Sequence, residues 1–339
     1  MYTREFSSPE SCPVKDGIPL QGTWKEAFGQ INLLDIKGAK DWKIREWQSF
    51  GIEGERFFLS AILFDAKLFS ILVSVFYDKV EAKISKTRKL IPSNMLSLPS
   101  SLANSYIDVK TKQYSFRIHE WLDARNVRFD LNLAPVTAHL KFILSKGETN
   151  PLVTSLLIDE KKPYIVYKNL SEIRGDIVIN KDEQKSNYYT LDPKKTSGLF
   201  CDFKAILPHR TSVCWANAHY FDAEGRRIGF SLGDMPTRDS YKNNENAFWI
   251  NGSLTPLPPV QITFPNGFEK EWVIQDMEGM VDLTFKPIET ISDSLFFGIA
   301  RCNYITPLGI FNGVLLTAKG EAIQIKNILG MGTKLYFRG

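Results

Sequence analysis

Val127-Arg128-Phe129-Asp130-Leu131-Asn132-Leu133 alternates apolar and polar side chains residue by residue, the period of an extended strand with one buried face. The same period runs through residues 57–64, 68–77, 80–84, 114–118, 138–144 and 176–179, and again through 199–205, 213–221, 260–264, 281–285 and 310–316. No stretch beyond roughly 12 residues sustains a helical period. Ala223-Glu224-Gly225, Asn251-Gly252, Asn266-Gly267, Glu278-Gly279 and Lys319-Gly320 supply residues that accept the backbone of a tight hairpin turn. Together these signals predict an all-β, mostly antiparallel chain with few short helices. Many short strands with one apolar face close into barrels or stacked sheets, because closure removes edges that invite aggregation.

The chain has 339 residues, enough for two such barrels packed together. The polar segment Asp159-Glu160-Lys161-Lys162-Pro163 marks the expected boundary, giving an N-terminal segment (1–17), a first barrel (18–162) and a second (163–339). The polar stretch 180–197, with Lys181, Asp182, Glu183, Lys185 and Pro193, is expected to be a loop of the second unit. At 43% apolar and 24% charged residues, the composition excludes a disordered or collagen-like chain.

Charge and cysteine usage narrow the function classes. The net charge is +4, and the densest basic stretch, Lys83, Lys86, Arg88 and Lys89, sits on a strand end, where cations keep an edge from pairing with other chains; the alternative reading is a phosphate-binding surface. This falls short of a nucleic-acid footprint, so no nucleic-acid partner is expected. Cys12, Cys201, Cys214 and Cys302 are too scattered for a zinc cluster or disulfide framework, which points to a reducing compartment. Residues 1–17 contain Arg4, Glu5, Glu10 and Lys15 and lack the apolar core of a signal peptide. The longest apolar run, 68–77, is about half of the ~20 residues a membrane-spanning helix needs. A cytoplasmic protein without a transmembrane segment is therefore expected. His119, His139, His209 and His219 are not spaced as a metal set, although His209 and His219 can meet in space, and no cofactor motif occurs; neither metal nor cofactor is expected.

Gly229-Phe230-Ser231-Leu232-Gly233 fits the nucleophile-elbow pattern, but it lies inside an alternating strand and is followed by Pro236 rather than a helix, so Ser231 is read as a strand residue. In Val213-Cys214-Trp215-Ala216-Asn217-Ala218-His219-Tyr220, Trp215, Asn217 and His219 share one face. A three-residue turn at 223–225 sets Asn217 opposite Ser231 and His219 opposite Gly229, leaving space beside Trp215, while Ala216 and Ala218 meet Leu232 and Phe230. Glu245, in Asn244-Glu245-Asn246-Ala247-Phe248-Trp249, is a candidate proton donor if buried beside Trp215 or Trp249. Its alternative role is structural, capping amides or pairing with Arg210 or Arg227. Asp202, Arg210, Ser231, Asn246, Trp249, Trp272 and Trp47 join Trp215, Asn217 and His219 as candidate ligand-binding residues.

Further along the chain, Asn32-Leu33-Leu34-Asp35, Trp47-Gln48-Ser49-Phe50, Asp202, Trp215-Ala216-Asn217-Ala218, Glu245-Asn246-Ala247, Glu271-Trp272, Asp282-Leu283-Thr284-Phe285 and Phe311-Asn312-Gly313 resemble the bacterial family called domain of unknown function 2804. Ala205 and Cys214 depart from its pattern, where glycine and a polar or aromatic residue are expected. The resemblance implies paired lipocalin-like barrels similar to AttH-like and hydroxyneurosporene synthase proteins and, more distantly, tocopherol cyclase. Some of these relatives hydrate or cyclise isoprenoids. Three functions are weighed: binding a lipid- or isoprenoid-like molecule in a barrel cavity; a cyclase, hydratase or isomerase with Glu245 as acid and Trp215 and Trp249 facing a cation; and a scaffold of filled barrels. An apolar small molecule is the expected partner, and oligomeric state is not legible.

Overall fold

A computed structural model describes residues 2–92, 94–101, 104–144, 151–180, 186–297 and 300–338. Their regular structure is all-β apart from two single-turn 3-10 helices, Leu33–Asp35 and Asp41–Lys43. β1 (Val14–Lys15) and β2 (Ile18–Pro19) pair only with each other. The first sheet takes β3 (Gly22–Trp24), β4 (Ile44–Glu53), β5 (Phe57–Asp65), β6 (Ser70–Asp78), β7 (Lys83–Ile91), β8 (Ser105–Lys110), β9 (Ser115–Trp121), β10 (Asn126–Leu133), β11 (Val136–Ile143), β12 (Leu152–Asp159), β13 (Lys162–Asn180), β14 (Ser186–Leu191) and β15 (Ser197–Ile206). The second takes β16 (Arg210–Phe221), β17 (Arg227–Asp234), β18 (Ala247–Ile250), β19 (Ser253–Pro256), β20 (Val260–Thr263), β21 (Trp272–Asp276), β22 (Val281–Phe297), β23 (Ala300–Leu316) and β24 (Ala322–Arg338).

Both sheets curl. The main path of the first runs β7-β6-β5-β4-β15-β13-β11-β10-β9-β8. Its edge β7 comes back against turns at the far side, where Thr87 Oγ1 donates to the Ala134 carbonyl at 2.8 Å and Tyr114 OH to that of Leu90 at 3.2 Å. The second runs β19-β18-β17-β16-β24-β23-β22-β21-β20, and the Ile262 N–H closes it by donating to Asp234 Oδ2 at 3.1 Å.

Strand alternation assigns each side chain to a sheet interior or to the gap between sheets. Phe50, Phe129, Phe142 and Phe200 fill the first interior, Phe50 and Phe129 stacking at 4.2 Å between centroids. Phe230, Trp272, Phe285 and Phe311 fill the second. A third cluster joins the outer faces, with Trp47, Tyr164, Leu199 and Phe203 of the first sheet packed against Val213, Trp215, Ile291 and Phe337 of the second. Burying large aromatic side chains is the dominant stabilising term here, about 1.5–3 kcal/mol for each side chain withdrawn from water.

Some expectations shift in detail. The segment 159–163 is not the join between units: it is the turn of the β12–β13 hairpin, with Lys162 paired to Asp159, and the chain changes sheets only across residues 207–209. Its polarity belongs to a surface turn. Residues 80–84 are not one strand, because the Asp78 carboxylate accepts the Val80 and Glu81 N–H groups at 2.9 and 3.1 Å and holds a turn before β7 begins at Lys83. Within 180–197, Ser186–Leu191 forms β14 against β13 of the first sheet; Lys181, Asp182, Glu183 and Lys185 lie outside the described residues.

Candidate functional site

Between the outer faces of the two sheets lies a cavity of about 160 Å³. One wall carries Trp47, Ser49 and Gly51 of β4, Ser60 and Phe64 of β5, Val73 and Val75 of β6, and Cys201 and Phe203 of β15. The other carries Trp215 and Asn217 of β16, Ser231 of β17, Tyr304 and Thr306 of β23, and Met331 and Thr333 of β24. The cavity thus lies between the curled sheets, whereas the sequence suggested the inside of a barrel. The reason is alternation: residues of β16 that face away from its own packed interior face the neighbouring sheet.

The β16–β17 register is the one the turn chemistry predicts. Asn217 pairs with Ser231, His219 with Gly229 and Trp215 with Gly233, with Gly225 in the left-handed region at φ 73°. Ser231 lies mid-strand, consistent with a non-nucleophilic residue. Trp47 stacks on Phe203 at 4.9 Å and meets the Trp215 ring at 5.9 Å, forming an aromatic floor. Burial lifts the Cys201 thiol on the wall to about 12, which removes it as a nucleophile.

Glu245 is almost wholly buried but stands behind Trp215, off the cavity wall. Its Oε1 accepts the Trp215 indole N–H at 2.8 Å, and its Oε2 pairs with Lys168 Nζ at 2.6 Å. Lys168, equally buried, also donates to the Glu245 carbonyl at 3.2 Å and lies over the Phe203 ring. Tyr164 OH stands 3.4 Å from both carboxylate oxygens. Asn246 anchors the segment, accepting the Gly233 N–H at 2.6 Å and donating to the Pro258 carbonyl at 2.8 Å. Gly233 is required beside this pair because a Cβ there would overlap the Glu245 carboxylate. Gly233→Ala is therefore expected to cost about 1–3 kcal/mol and to shift Trp215 fluorescence, read by denaturant titration and emission spectra.

The remaining candidates scatter. His219 ends the cavity face, its Nδ1 at 2.8 Å from Ser197 Oγ; its Nε2 has no partner among the described residues and points at Gly51, where a Cβ would come within 2.7 Å. Burial, with a smaller contribution from Lys79, lowers its imidazole to about 3, so it is neutral at physiological pH. His209 is exposed at the start of β16, ten positions along the chain from His219 and so roughly 30 Å away in an extended strand; the two do not meet. Arg210 is likewise exposed. Trp249 packs with Leu152 and Leu170 between the sheets. Trp272 belongs to the second interior, its indole N–H donated to the Phe268 carbonyl at 2.8 Å.

Asp202 faces the first interior, in a polar chain that sequence reading missed. Gln48 Nε2 donates to Asp202 Oδ2 at 2.8 Å and to Glu120 Oε1 at 2.6 Å, Ser105 donates to Glu120, and Lys204 pairs with Glu46 at 3.0 Å. Burial is the largest cause that raises Glu120 to about 8, with Asp202 adding to it; Asp202 itself is raised by burial. Arg4 was also missed. Its buried guanidinium donates to the carbonyls of Asn244 at 2.9 Å, Asn246 at 3.3 Å and Leu257 at 2.8 Å, pinning the segment that carries Glu245.

Fold and cavity define an all-β protein of two curled, lipocalin-like sheets with an aromatic-walled gap between them. The chain belongs to the family described as Domain of unknown function (DUF2804), which matches residues 4–337. Among solved structures, CghA aligns with a TM-score of 0.55 at 10% identity, covering 86% of this chain and 88% of its own. Kievitone hydratase from Nectria haematococca (C2 SG) aligns at a TM-score of 0.49 and 11% identity, covering 87% of this chain and 88% of its own. At 10% identity the likeness to CghA concerns the fold. No curated protein matches the chain, and no helix among the described residues is long and apolar enough to cross a membrane.

Proposed function

We propose that the protein binds an apolar, lipid- or isoprenoid-like small molecule in the gap between its two sheets. One observation carries this reading: the gap is walled by Trp47, Phe203 and Trp215, yet Asn217 and Ser231, directly opposite in register, face it with side chains that make no hydrogen bond to another described residue. Uncommitted polar groups on an apolar wall are costly when dry, and a ligand oxygen satisfies them while its hydrocarbon covers the aromatics. That is the usual make-up of a small-molecule pocket: mostly apolar, with a few placed polar groups. Glu245 acts in this reading as a positioning residue. Its Oε2 is taken up by Lys168 and its Oε1 by the Trp215 N–H, and the latter bond fixes the indole at the wall.

Solvent extraction of the purified protein followed by mass spectrometry tests the reading, together with titration of tryptophan emission by decanol. The expected result is a co-extracted apolar molecule or a saturable emission change, lost in Ser231→Phe, which fills the gap, at an unchanged melting temperature. Neither a bound species nor a saturable response in the wild type would overturn it.

A further inference from the structure

We infer that the ligand is an anionic amphiphile, its acid group held at the rim of the gap by Lys86 and its hydrocarbon running inward along Val75 and Val73. The inference rests on the gap being the ligand site and adds the ligand's charge and orientation. β7 is the terminal strand on the β6 side of the first sheet. In the β6–β7 register Val75 pairs with Lys86 and Val73 with Arg88. Directly opposite residues of an antiparallel pair stand on the same face, and Val73 and Val75 are cavity-wall residues. Lys86 and Arg88 therefore stand on the face of β7 turned to the second sheet. Ile84, two residues before Lys86 on that face, confirms the direction by packing against the Leu308, Leu329 and Met331 cluster.

The two cations divide the edge stretch by face. Lys83 and Lys89 alternate to the opposite face, where Lys89 reaches Gln113 Oε1 at 3.3 Å. Lys86 and Arg88 are exposed, two cations two residues apart on the face that continues the Val73 and Val75 wall to the sheet edge. Desolvation, and then the neighbouring Arg88, lowers the Lys86 pKa. Arg88 also acts on the Tyr304 phenol of the cavity wall, which burial raises and Arg88 lowers, so its charge reaches the gap. Lys86 makes no ion pair or hydrogen bond with another described residue. An anion at the rim pairs with the Lys86 ammonium, while the apolar wall receives the chain. A carboxylate and a phosphate monoester share this chemistry.

Titration calorimetry with decanoate, decyl phosphate and decanol, on the wild type, Lys86→Gln and Lys89→Gln, tests the inference. At least one acid is expected to bind roughly tenfold more tightly than decanol, with the advantage falling as salt rises. Whichever acid binds more tightly identifies the headgroup. Lys86→Gln is expected to remove most of that advantage and leave decanol affinity unchanged, and Lys89→Gln to match the wild type. Decanol binding as well as both acids, or an acid advantage untouched in Lys86→Gln, overturns the inference while leaving the gap as a ligand site. Failure of all three probes to bind overturns both.

Discussion

Lys168→Met is expected to lower folding stability by about 3–5 kcal/mol, the range for removing one partner of a buried ion pair. The loss has a definite origin. Glu245, 1% exposed, accepts from Lys168 at 2.6 Å and from Trp215 at 2.8 Å, and without the ammonium an uncompensated charge remains between the sheets. If that charge is the cause, Lys168→Met/Glu245→Leu regains much of the stability, since replacing a buried pair by apolar groups of similar volume is often close to neutral. Urea denaturation of the single and double variants decides the matter. A single variant within about 1 kcal/mol of the wild type would mean that the pair is not buried as described.

A second expectation concerns pH. Glu120, Asp202 and Glu46 surround one fully buried lysine, Lys204, in the first interior, and burial raises Glu120 to about 8. The folded state therefore retains a proton up to about pH 8, whereas an unfolded glutamate releases it near pH 4.3. Between those values the folded state binds more protons than the unfolded one, so stability falls as pH rises, at up to about 1.4 kcal/mol per pH unit for one proton. Asp202, also raised, acts in the same direction from a lower starting pH. Glu120→Gln retains the hydrogen-bonding shape and removes the titration. Its stability should vary far less between pH 5 and pH 8 and exceed that of the wild type at pH 8. An unchanged pH dependence in Glu120→Gln would place the proton elsewhere.

The strand class, the β16–β17 register and the shared face of Trp215, Asn217 and His219 were legible because they depend on short-range signals: alternation, and the turn at 223–225. The location of the cavity was not. Period-two alternation says that Trp215 and Ala216 face opposite ways, but not which side faces a packed interior and which the second sheet. Lys168 left a trace that was readable: in Tyr164-Ile165-Val166-Tyr167-Lys168-Asn169-Leu170 it is the one cation on a face shared with Tyr164, Val166 and Leu170. Such a residue needs a buried partner. That the partner is Glu245, 77 positions away, is set by sheet-on-sheet packing, which carries no local signature. Arg4 was equally opaque, since its acceptors are backbone carbonyls that any residue supplies.

A crystal structure of the protein with a terminally brominated fatty acid, located by bromine anomalous scattering, tests most directly whether the gap is the binding site. The peak is expected in the gap over the floor made by Trp47, Phe203 and Trp215, with the headgroup toward Lys86. A peak inside the first sheet among Phe50, Phe129 and Phe200, or inside the second between Trp272 and Phe311, would contradict it.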